Sequence, residues 1–134
     1  MTVFVLDTNV ISDMVSPNPN VAVVNQIAAQ RQHTLCLCEA VDYEVRRGYL
    51  KTGATAKLRV YEERIKSQFQ WVAIVEVDWR QAAQFWADAV NKGKQLSDVD
   101  LLVAAVATRL GGQVISADDD FDALPVTRTT WRSP

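Results

Sequence analysis

The stretch VFVLDTNVISD, residues 3–13, joins an apolar run to a polar turn. Four apolar residues precede Asp7, which predicts a short strand over residues 2–6 that is covered on both faces. The strand ends on this acid, and Thr8 and Asn9 follow before apolar residues resume. Binding sites in open α/β sheets gather beyond the carboxyl ends of the strands. Asp7 is therefore a candidate site residue, although an Asx turn or a helix cap would explain it equally well when it is taken alone.

The length and composition of the chain are those of an ordinary globular protein. Its 134 residues are 49% hydrophobic and 22% charged, so we expect one domain over residues 1–134. The formal charge is −2, which gives no overall basic field for nucleic-acid binding, although a local basic rim would suffice. No apolar stretch approaches the ~18–20 residues that span a membrane, and no signal-peptide pattern is present. We therefore expect a cytoplasmic protein without a membrane partner.

The cysteines and the histidine do not predict a metal site. Cys36 and Cys38 share one face of a predicted strand, but His33 is the only histidine, so a zinc site would lack ligands. Packing or surface thiols are the favoured interpretation of the two cysteines. The lone histidine also removes the usual general base for Ser-His or Cys-His catalysis.

The rest of the sequence alternates short apolar strands with amphipathic helices. Strands are predicted at residues 2–6, 33–38, 72–78 and 113–117, with a candidate fifth at 125–131. Helices are predicted at residues 9–15, 21–32, 39–53, 54–69, 78–92 and 96–112. Asp78 and Gln81 resemble an N-cap and its partner, and a double glycine ends the last helix. This order predicts an α/β fold with a parallel sheet of four to five short strands flanked by helices.

Further acids lie in two of the predicted helices and after a later strand. Glu44 borders the apolar stripe of its helix, where an acid is unfavourable to bury without a partner. Asp100 fits a helix-start signal that begins at Ser97, which by itself is a sufficient structural explanation. Helical residues two apart point about 200° apart, so Asp98 and Asp100 cannot both face one site. The acidic run at 118–120 would be a solvated turn if it were judged alone.

Taken together, these acids indicate a metal site at one end of the sheet. Converging carboxylates repel one another, and one of them would be protonated unless a cation compensates. Oxygen-only ligands select hard divalent ions such as Mg²⁺ or Mn²⁺. Such ions stabilise the attacking and leaving oxygens in phosphodiester cleavage. The pattern therefore favours metal-assisted phosphodiester chemistry over a covalent mechanism.

Four ordered motifs carry a resemblance to a known family. They are LDTNVISD (6–13), YEVRRG (43–48), DLLVAAVA (100–107) and VISADDDF (114–121). Together they resemble the PIN-domain family and, more narrowly, the VapC-type toxins of bacterial toxin–antitoxin pairs. The similarity covers nearly the whole chain. The opening D-T-N-x-x-S and the D-L-L-x-A-A helix are its more specific parts, whereas E-x-x-x-G alone is weak.

The resemblance assigns roles to the polar residues of these motifs. It implies an acidic, metal-binding core formed by Asp7, Glu44 and Asp100, with Asp118 as the fourth candidate. Which acid of the 118–120 run faces the ion stays open. Supporting polar residues are expected at Thr8, Asn9, Ser12 and Ser116, and more distant contributions to the site, such as through water, at Asp98 and Asp120. Candidate phosphate contacts are Arg46, Arg47, Lys92 and Lys94, for which solubility and helix pairing are equally good explanations.

The resemblance also implies an activity and partners. We expect an Mg²⁺- or Mn²⁺-dependent endoribonuclease that hydrolyses RNA as the toxin of a type II toxin–antitoxin system. A homodimer and a cognate antitoxin are implied as well. Two alternatives are a PIN-like scaffold that binds RNA or protein without catalysis and a phospho-accepting receiver domain. The receiver alternative normally needs an acidic pair directly after the first strand, where this chain has Asp7 alone.

Overall fold

A five-stranded parallel sheet organises the computed structural model, which describes residues 2–132. Its strands are β1 (Val3–Leu6), β2 (Thr34–Cys38), β3 (Gln70–Val72), β4 (Gln113–Ile115) and β5 (Arg128–Thr129). They lie in the order β3-β2-β1-β4-β5, and every neighbouring pair is parallel. The predicted α/β class and parallel sheet are therefore confirmed, and the candidate fifth strand is present as a two-residue segment.

Six α-helices flank the sheet in the described part of the chain. They are α1 (Thr8–Val15), α2 (Val21–Ala29), α3 (Glu39–Thr52), α4 (Thr55–Val60), α5 (Glu76–Asn91) and α6 (Asp98–Leu110). A π-turn at Tyr61–Ile65 and 3₁₀ turns at Lys66–Gln68 and Asp119–Ala123 complete the regular structure. Within residues 2–132, no helix combines the length and the apolar character that a membrane crossing requires.

The central strand β1 is the point at which the winding of the sheet changes direction. It pairs with β2 on one side and with β4 on the other. In open α/β sheets, ligands bind in the crevice that this change of direction opens at the carboxyl ends of the strands. The strand order also differs from the flavodoxin-like order 2-1-3-4-5, which is the order of receiver domains. The receiver alternative is therefore excluded by topology.

Helix α6 forms the centre of the core because it is apolar on nearly every side. Every residue from Val99 to Ala107 is buried, and the helix packs against α5, α3 and β1. The predicted double-glycine end is confirmed, since Gly111 adopts a left-handed conformation (φ 63°) after the last turn. A Cβ on Gly112 would lie 2.7 Å from the carbonyl oxygen of Val3, so only glycine lets the chain enter β4 beside β1.

The predicted strand at 72–78 is wrong in its position and length. Strand β3 ends at Val72 and α5 already begins at Glu76, so Asp78 lies in the first turn of the helix and is not its N-cap. As the third residue of α5, Asp78 accepts the backbone N–H of the N-cap residue Val75 at 3.0 Å, and its buried carboxylate also accepts two hydrogen bonds from Arg109 on α6, at 2.8 and 3.0 Å. This ion pair joins residues 31 apart, so a local capping pattern does not reveal it.

The helix predicted at 54–69 is helical from Thr55 to Gln68, but only its first part is an α-helix. Helix α4 stops at Val60, and the chain continues as the π-turn and a 3₁₀ turn. The π-turn buries both Tyr61 and Ile65, and the Tyr61 hydroxyl donates a 2.5 Å hydrogen bond to the buried carboxylate of Asp42 on α3. Single π-turns commonly interrupt helices where a tertiary contact sets the position of a side chain. Here that contact fixes this segment against α3.

Candidate metal centre

Asp7 lies at the carboxyl end of β1 and is held there by two neighbouring polar side chains. Its carboxylate is 4% exposed and accepts hydrogen bonds from the Ser116 hydroxyl (2.6 Å) and the Asn9 amide (3.1 Å). The Asn9 amide also donates to the Ser116 hydroxyl (2.9 Å) and its carbonyl accepts the N–H of Ala117 (3.1 Å). The turn after β1 and the turn after β4 are thus joined by one hydrogen-bond network.

Ser116 uses its whole hydrogen-bonding capacity in this network. Its hydroxyl donates to Asp7 and accepts from Asn9 and from the backbone N–H of Asp118 (3.0 Å). A serine hydroxyl offers one donor and two acceptor sites, so none is left for a further role. The fully buried Ser116 therefore orients Asp7 and the start of the following acidic run, and it is not free to act as a nucleophile.

Asp100 enters the same region from the first turn of α6. The Ser97 hydroxyl caps this helix by accepting the N–H of Asp100 at 3.1 Å, as the sequence signal predicts. Burial, with repulsion from Asp7 and Asp118, raises the pKa of the Asp100 carboxyl from 3.8 to about 7. The helix-start explanation for Asp100 is therefore correct and does not exclude a role in a site.

Four carboxylates from four parts of the fold converge on this crevice. Burial raises the pKa of Asp7 as well, and repulsion from Glu44 and Asp118 adds to it despite the hydrogen bond from Ser116. The same two acids also repel Asp100. Within residues 2–132, Glu44 pairs with Arg47 at 3.3 Å, whereas Asp7, Asp100 and Asp118 have no ion-pair partner. The cluster thus carries negative charge that the described protein leaves uncompensated.

The acidic run after β4 supplies two carboxylates to this cluster. Oxygen atoms of Asp100, Asp118 and Asp120 all lie within 4.8 Å of one another, which suits a shared cation. Asp118 also accepts the N–H of Asp120 at 2.9 Å and so starts the 3₁₀ turn at 119–123, while Asp119 is exposed. This geometry makes Asp120, which the sequence predicts only as a more distant contributor, a candidate ligand in its own right.

Thr8 provides an independent observation that a hard cation or its water fits here. Its hydroxyl oxygen is buried directly after Asp7 in the chain and has no hydrogen-bond partner within residues 2–132. A buried hydroxyl without a partner is unfavourable, so an oxygen of this kind marks a place for a further polar group. Carboxylate and hydroxyl oxygens together are the donor set of a hard divalent ion. The residues present therefore fit such an ion.

The other predicted residues are more scattered. Ser12 is exposed on α1, and its side chain forms a hydrogen bond with the hydroxyl of Tyr49. Asp98 is exposed on α6 and lines a groove beside the cluster, as its helical offset from the buried Asp100 requires. Arg46 forms ion pairs with Asp42 and Glu62, which occupy its guanidinium.

Three predicted phosphate contacts remain available in different degrees. Arg47 pairs with Glu44 and is half-exposed, so it lies at the rim of the cluster. Lys92 and Lys94 are exposed beyond the end of α5, and Lys92 lines a shallow cavity together with Asp122. A local basic rim is thus built from few residues.

Arg128 is a residue of the site that sequence reasoning missed. Its guanidinium donates two hydrogen bonds to Asp122 (2.9 and 3.0 Å) and one to the carbonyl oxygen of Ser116 (3.2 Å). These bonds tie the 3₁₀ turn that follows Asp118 to β5. No helix or strand periodicity pairs residues six apart across a turn, so the sequence carries no signal for this contact.

Comparison with known proteins identifies the family. The model of the PIN domain matches residues 4–126 of the chain. The chain belongs to the PIN-domain family. No curated protein gives a significant match to this PIN domain.

Solved structures share the fold of this PIN domain along almost its whole length. FitAcB from Neisseria gonorrhoeae is 26% identical, with a TM-score of 0.82 and coverage of 96% of this chain and 97% of that chain. DNA-bound VapBC from Salmonella typhimurium is 21% identical, with a TM-score of 0.84 and coverage of 98% and 99%. VapC20 of Mycobacterium tuberculosis, titled a sarcin-ricin loop cleaving toxin, is 16% identical, with a TM-score of 0.71 and coverage of 92% and 96%.

Proposed function

We propose that this PIN domain is an Mg²⁺- or Mn²⁺-dependent endoribonuclease and the toxin of a type II toxin–antitoxin pair. The observation that carries the proposal is the cluster of Asp7, Glu44, Asp100 and Asp118, in which the pKa of Asp100 is raised to about 7. Enzymes place strongly perturbed groups of this kind in clefts where chemistry occurs. Here the perturbation comes from burial and like charges, which a divalent cation relieves.

The residues divide into those that would hold an ion and those that orient them. Asp100, Asp118 and Asp120, whose carboxylate oxygens lie within 4.8 Å of one another, would be the principal ligands, and Asp7 and Glu44, which repel Asp100, would supply further ligands for one or two ions. A bound Mg²⁺ or Mn²⁺ supplies Lewis acidity toward water and the scissile phosphate. Ser116 and Asn9 fix the direction of the Asp7 carboxylate.

The described residues offer no competing covalent mechanism at this site. The Ser116 hydroxyl is committed to three hydrogen bonds. Cys36 and Cys38 are buried on β2, and burial raises the pKa of the Cys38 thiol to about 11, which suppresses the reactive thiolate. Hydrolysis by water is therefore the reaction that the site supports best.

The partners follow from the same proposal. The three structural relatives compared include a DNA-bound VapBC complex and a toxin that cleaves the sarcin-ricin loop, and FitAcB has the highest identity among them. We propose by analogy an RNA substrate, a cognate antitoxin that blocks the site, and a homodimer in which residues 1–134 act as one domain. A toxin that cleaves cellular RNA would act in the cytoplasm.

The test combines an activity and a stability measurement on the purified chain. With Mg²⁺ or Mn²⁺, the protein should cleave a mixture of cellular RNAs, and EDTA should abolish cleavage. Millimolar Mg²⁺ should also raise the melting temperature more than NaCl at matched ionic strength, because an ion that binds only the folded state stabilises it.

Matched variants separate the cluster from neighbouring acids. Asp100→Asn should lose cleavage and the response of the melting temperature to metal, whereas the exposed Asp119→Asn should keep both. RNA cleavage that survives EDTA, or an equal response of both variants to metal, would contradict the proposal. A metal-dependent rise in melting temperature without any cleavage would favour the non-catalytic scaffold.

A further inference from the structure

A groove of about 500 Å³ opens directly beside the acidic cluster and is not used by the chemistry described above. Tyr43 of α3 and Trp79 of α5 contribute to its walls, and both rings are more than half exposed, at 57% and 58%. Ile74, Val99 and Leu102 supply apolar surface between them. Two large exposed aromatic rings at one concave surface are unusual for a soluble chain, because aromatic side chains are normally buried or engaged by a partner.

Two contacts link the lining of the groove to residues of the acidic cluster. The guanidinium of Arg47 lies over the ring of Tyr43, 5.0 Å from its centroid, and the same guanidinium pairs with Glu44 at 3.3 Å. On the other side, Ser97 lines the groove and caps the turn that carries Asp100. A chain whose phosphate lies at the acids would therefore place an adjoining group in this groove.

The chemistry of the lining selects a flat and uncharged group. Arg47 already shares its charge with Glu44, and the carboxylates of Glu39 and Asp98 also line the groove, so a phosphate would meet net repulsion. Aromatic faces and a stacked guanidinium plane instead suit an unpaired nucleobase, which single-strand-binding proteins hold in this way. Pockets for small planar ligands typically have volumes of about 300–1,000 Å³, which includes this one.

We propose that this groove binds one unpaired base of the RNA next to the cleaved phosphodiester, stacked against Trp79 and Tyr43. The proposal rests on the ribonuclease function proposed above and adds the part of the substrate that is recognised. It implies that the enzyme acts on single-stranded or looped RNA, since a base in a duplex cannot enter the groove.

The first experiment measures stacking directly, without relying on cleavage. A mixed-sequence single-stranded RNA oligonucleotide is titrated into the metal-loaded Asp7→Asn protein, in which cleavage is suppressed, and tryptophan fluorescence is followed. Quenching should occur, should largely disappear in Trp79→Phe, and should persist in Trp71→Phe. Trp71 is the control because it is 42% exposed on β3 and does not line the groove, whereas Trp86 shares an adjoining cavity with Trp79.

The second experiment measures affinity in the same Asp7→Asn background. Trp79→Ala should weaken RNA binding roughly 5- to 150-fold, the range expected for one lost stacking contact, whereas Trp79→Phe should retain most of the affinity. Trp71→Ala should bind like the Asp7→Asn parent. A duplex RNA of the same sequence should bind more weakly than the single strand and should not respond to Trp79→Ala.

The outcomes separate this inference from the function on which it rests. If the wild-type chain cleaves RNA but Trp79→Ala binds and quenches like its parent, the groove proposal is overturned and the ribonuclease function is kept. If the wild-type chain neither binds nor cleaves RNA, both are overturned. If Trp79→Ala converts a dimer to a monomer in sedimentation velocity and leaves RNA affinity per chain unchanged, the groove is a contact between copies and the proposal is overturned.

Discussion

Asp42 and Asp100 are buried to the same extent, each 9% exposed, yet their carboxyl groups are shifted in opposite directions. Burial acts to raise the pKa of Asp42, but hydrogen bonds from Tyr61 and Arg46 outweigh it, so its pKa is lowered. Burial raises the pKa of Asp100 to about 7, and its neighbours are acids. The charges of the neighbouring groups therefore decide the role of a buried acid. Donors and cations let Asp42 stabilise the fold in its ionised form, whereas the acids around Asp100 favour the binding of a cation.

The largest effect that tests this contrast is expected for Asp7→Asn. Loss of one anionic ligand should reduce RNA cleavage on the order of 10²- to 10³-fold, because a metal ion contributes several kcal/mol to stabilising the transition state. The near-isosteric amide keeps the packing, so the melting temperature in EDTA should stay equal or rise. Single-turnover cleavage at subsaturating Mg²⁺ is the measurement, and circular dichroism is the control for folding. Full activity in a folded variant would exclude Asp7 as a ligand.

A stability difference should appear when pH is varied without metal. The pKa of Asp100 is about 7 in the folded chain against 3.8 for the free group, so the native state holds more protons than the unfolded chain between these values. The free energy of unfolding should therefore be highest near pH 4–5 and fall as pH rises through about 7, by up to a few kcal/mol. The pKa of Asp7 is also raised in the folded chain, so Asp7 contributes to the same fall in stability with rising pH.

Urea unfolding in EDTA at pH 5 and pH 7.5 measures this effect. Asp100→Asn should remove most of the pH dependence, and saturating Mg²⁺ should reverse its sign because the ion binds the ionised carboxylates. Wild-type stability in EDTA that rises steadily over this interval would show that the acids do not repel one another in the folded chain.

The paired acid should behave in the opposite way. Asp42→Asn removes a charge that accepts bonds from Tyr61 (2.5 Å) and Arg46 (2.9 Å), so the chain should lose about 2 kcal/mol of stability. Cleavage per folded molecule should change little, since Asp42 makes its contacts with the segment at 61–66 and not with the acidic cluster. Urea unfolding at pH 7.5 gives the stability. If Asp42→Asn were more stable than the wild type, the Asp42 carboxylate would not stabilise the fold and would not differ from that of Asp100 in this respect.

The smallest effect is expected for Asp98→Asn on the same helix as Asp100. Asp98 points away from its neighbour two residues on and lines the groove proposed for an uncharged base, so its neutralisation removes no metal ligand and cleavage should change only about twofold. Asp100→Asn, measured beside it, should lose activity by about two orders of magnitude or more. Greater damage from Asp98→Asn would reverse the assignment of the ligand from α6.

The parts of the fold that the sequence predicts are those with strong local patterns. The run before Asp7 predicts β1, and the apolar helix with its Ser97 cap and double glycine predicts α6. The failures lie where tertiary contacts override local signals. Asp78 resembles an N-cap, but it lies three residues inside α5, where it accepts the N–H of Val75 and pairs with Arg109, and the helix predicted at 54–69 changes from α to π where Tyr61 bonds to Asp42.

The same distinction holds for the site. The positions of Asp7 and Asp100 follow from strand ends and helix turns, so their closeness could be expected from topology. The inclusion of Asp120 and the bonds from Arg128 to the turn could not be expected, because both depend on the exact path of the 3₁₀ turn. The two ion pairs of Arg46 could not be predicted either, because the one with Glu62 forms only when α3 packs against the segment that follows α4.

The hydrogen bond from Ser116 to Asp7 spans 109 residues and has a consequence for how the protein is made. At a translation rate of ~5–20 residues per second, Asp7 is synthesised about 5–20 s before Ser116. The central strand β1 also has only one of its two neighbours until then. A nascent chain therefore holds its first acid without the partners that orient it, and the acidic cluster can form only after β4 and the residues that follow it have been made.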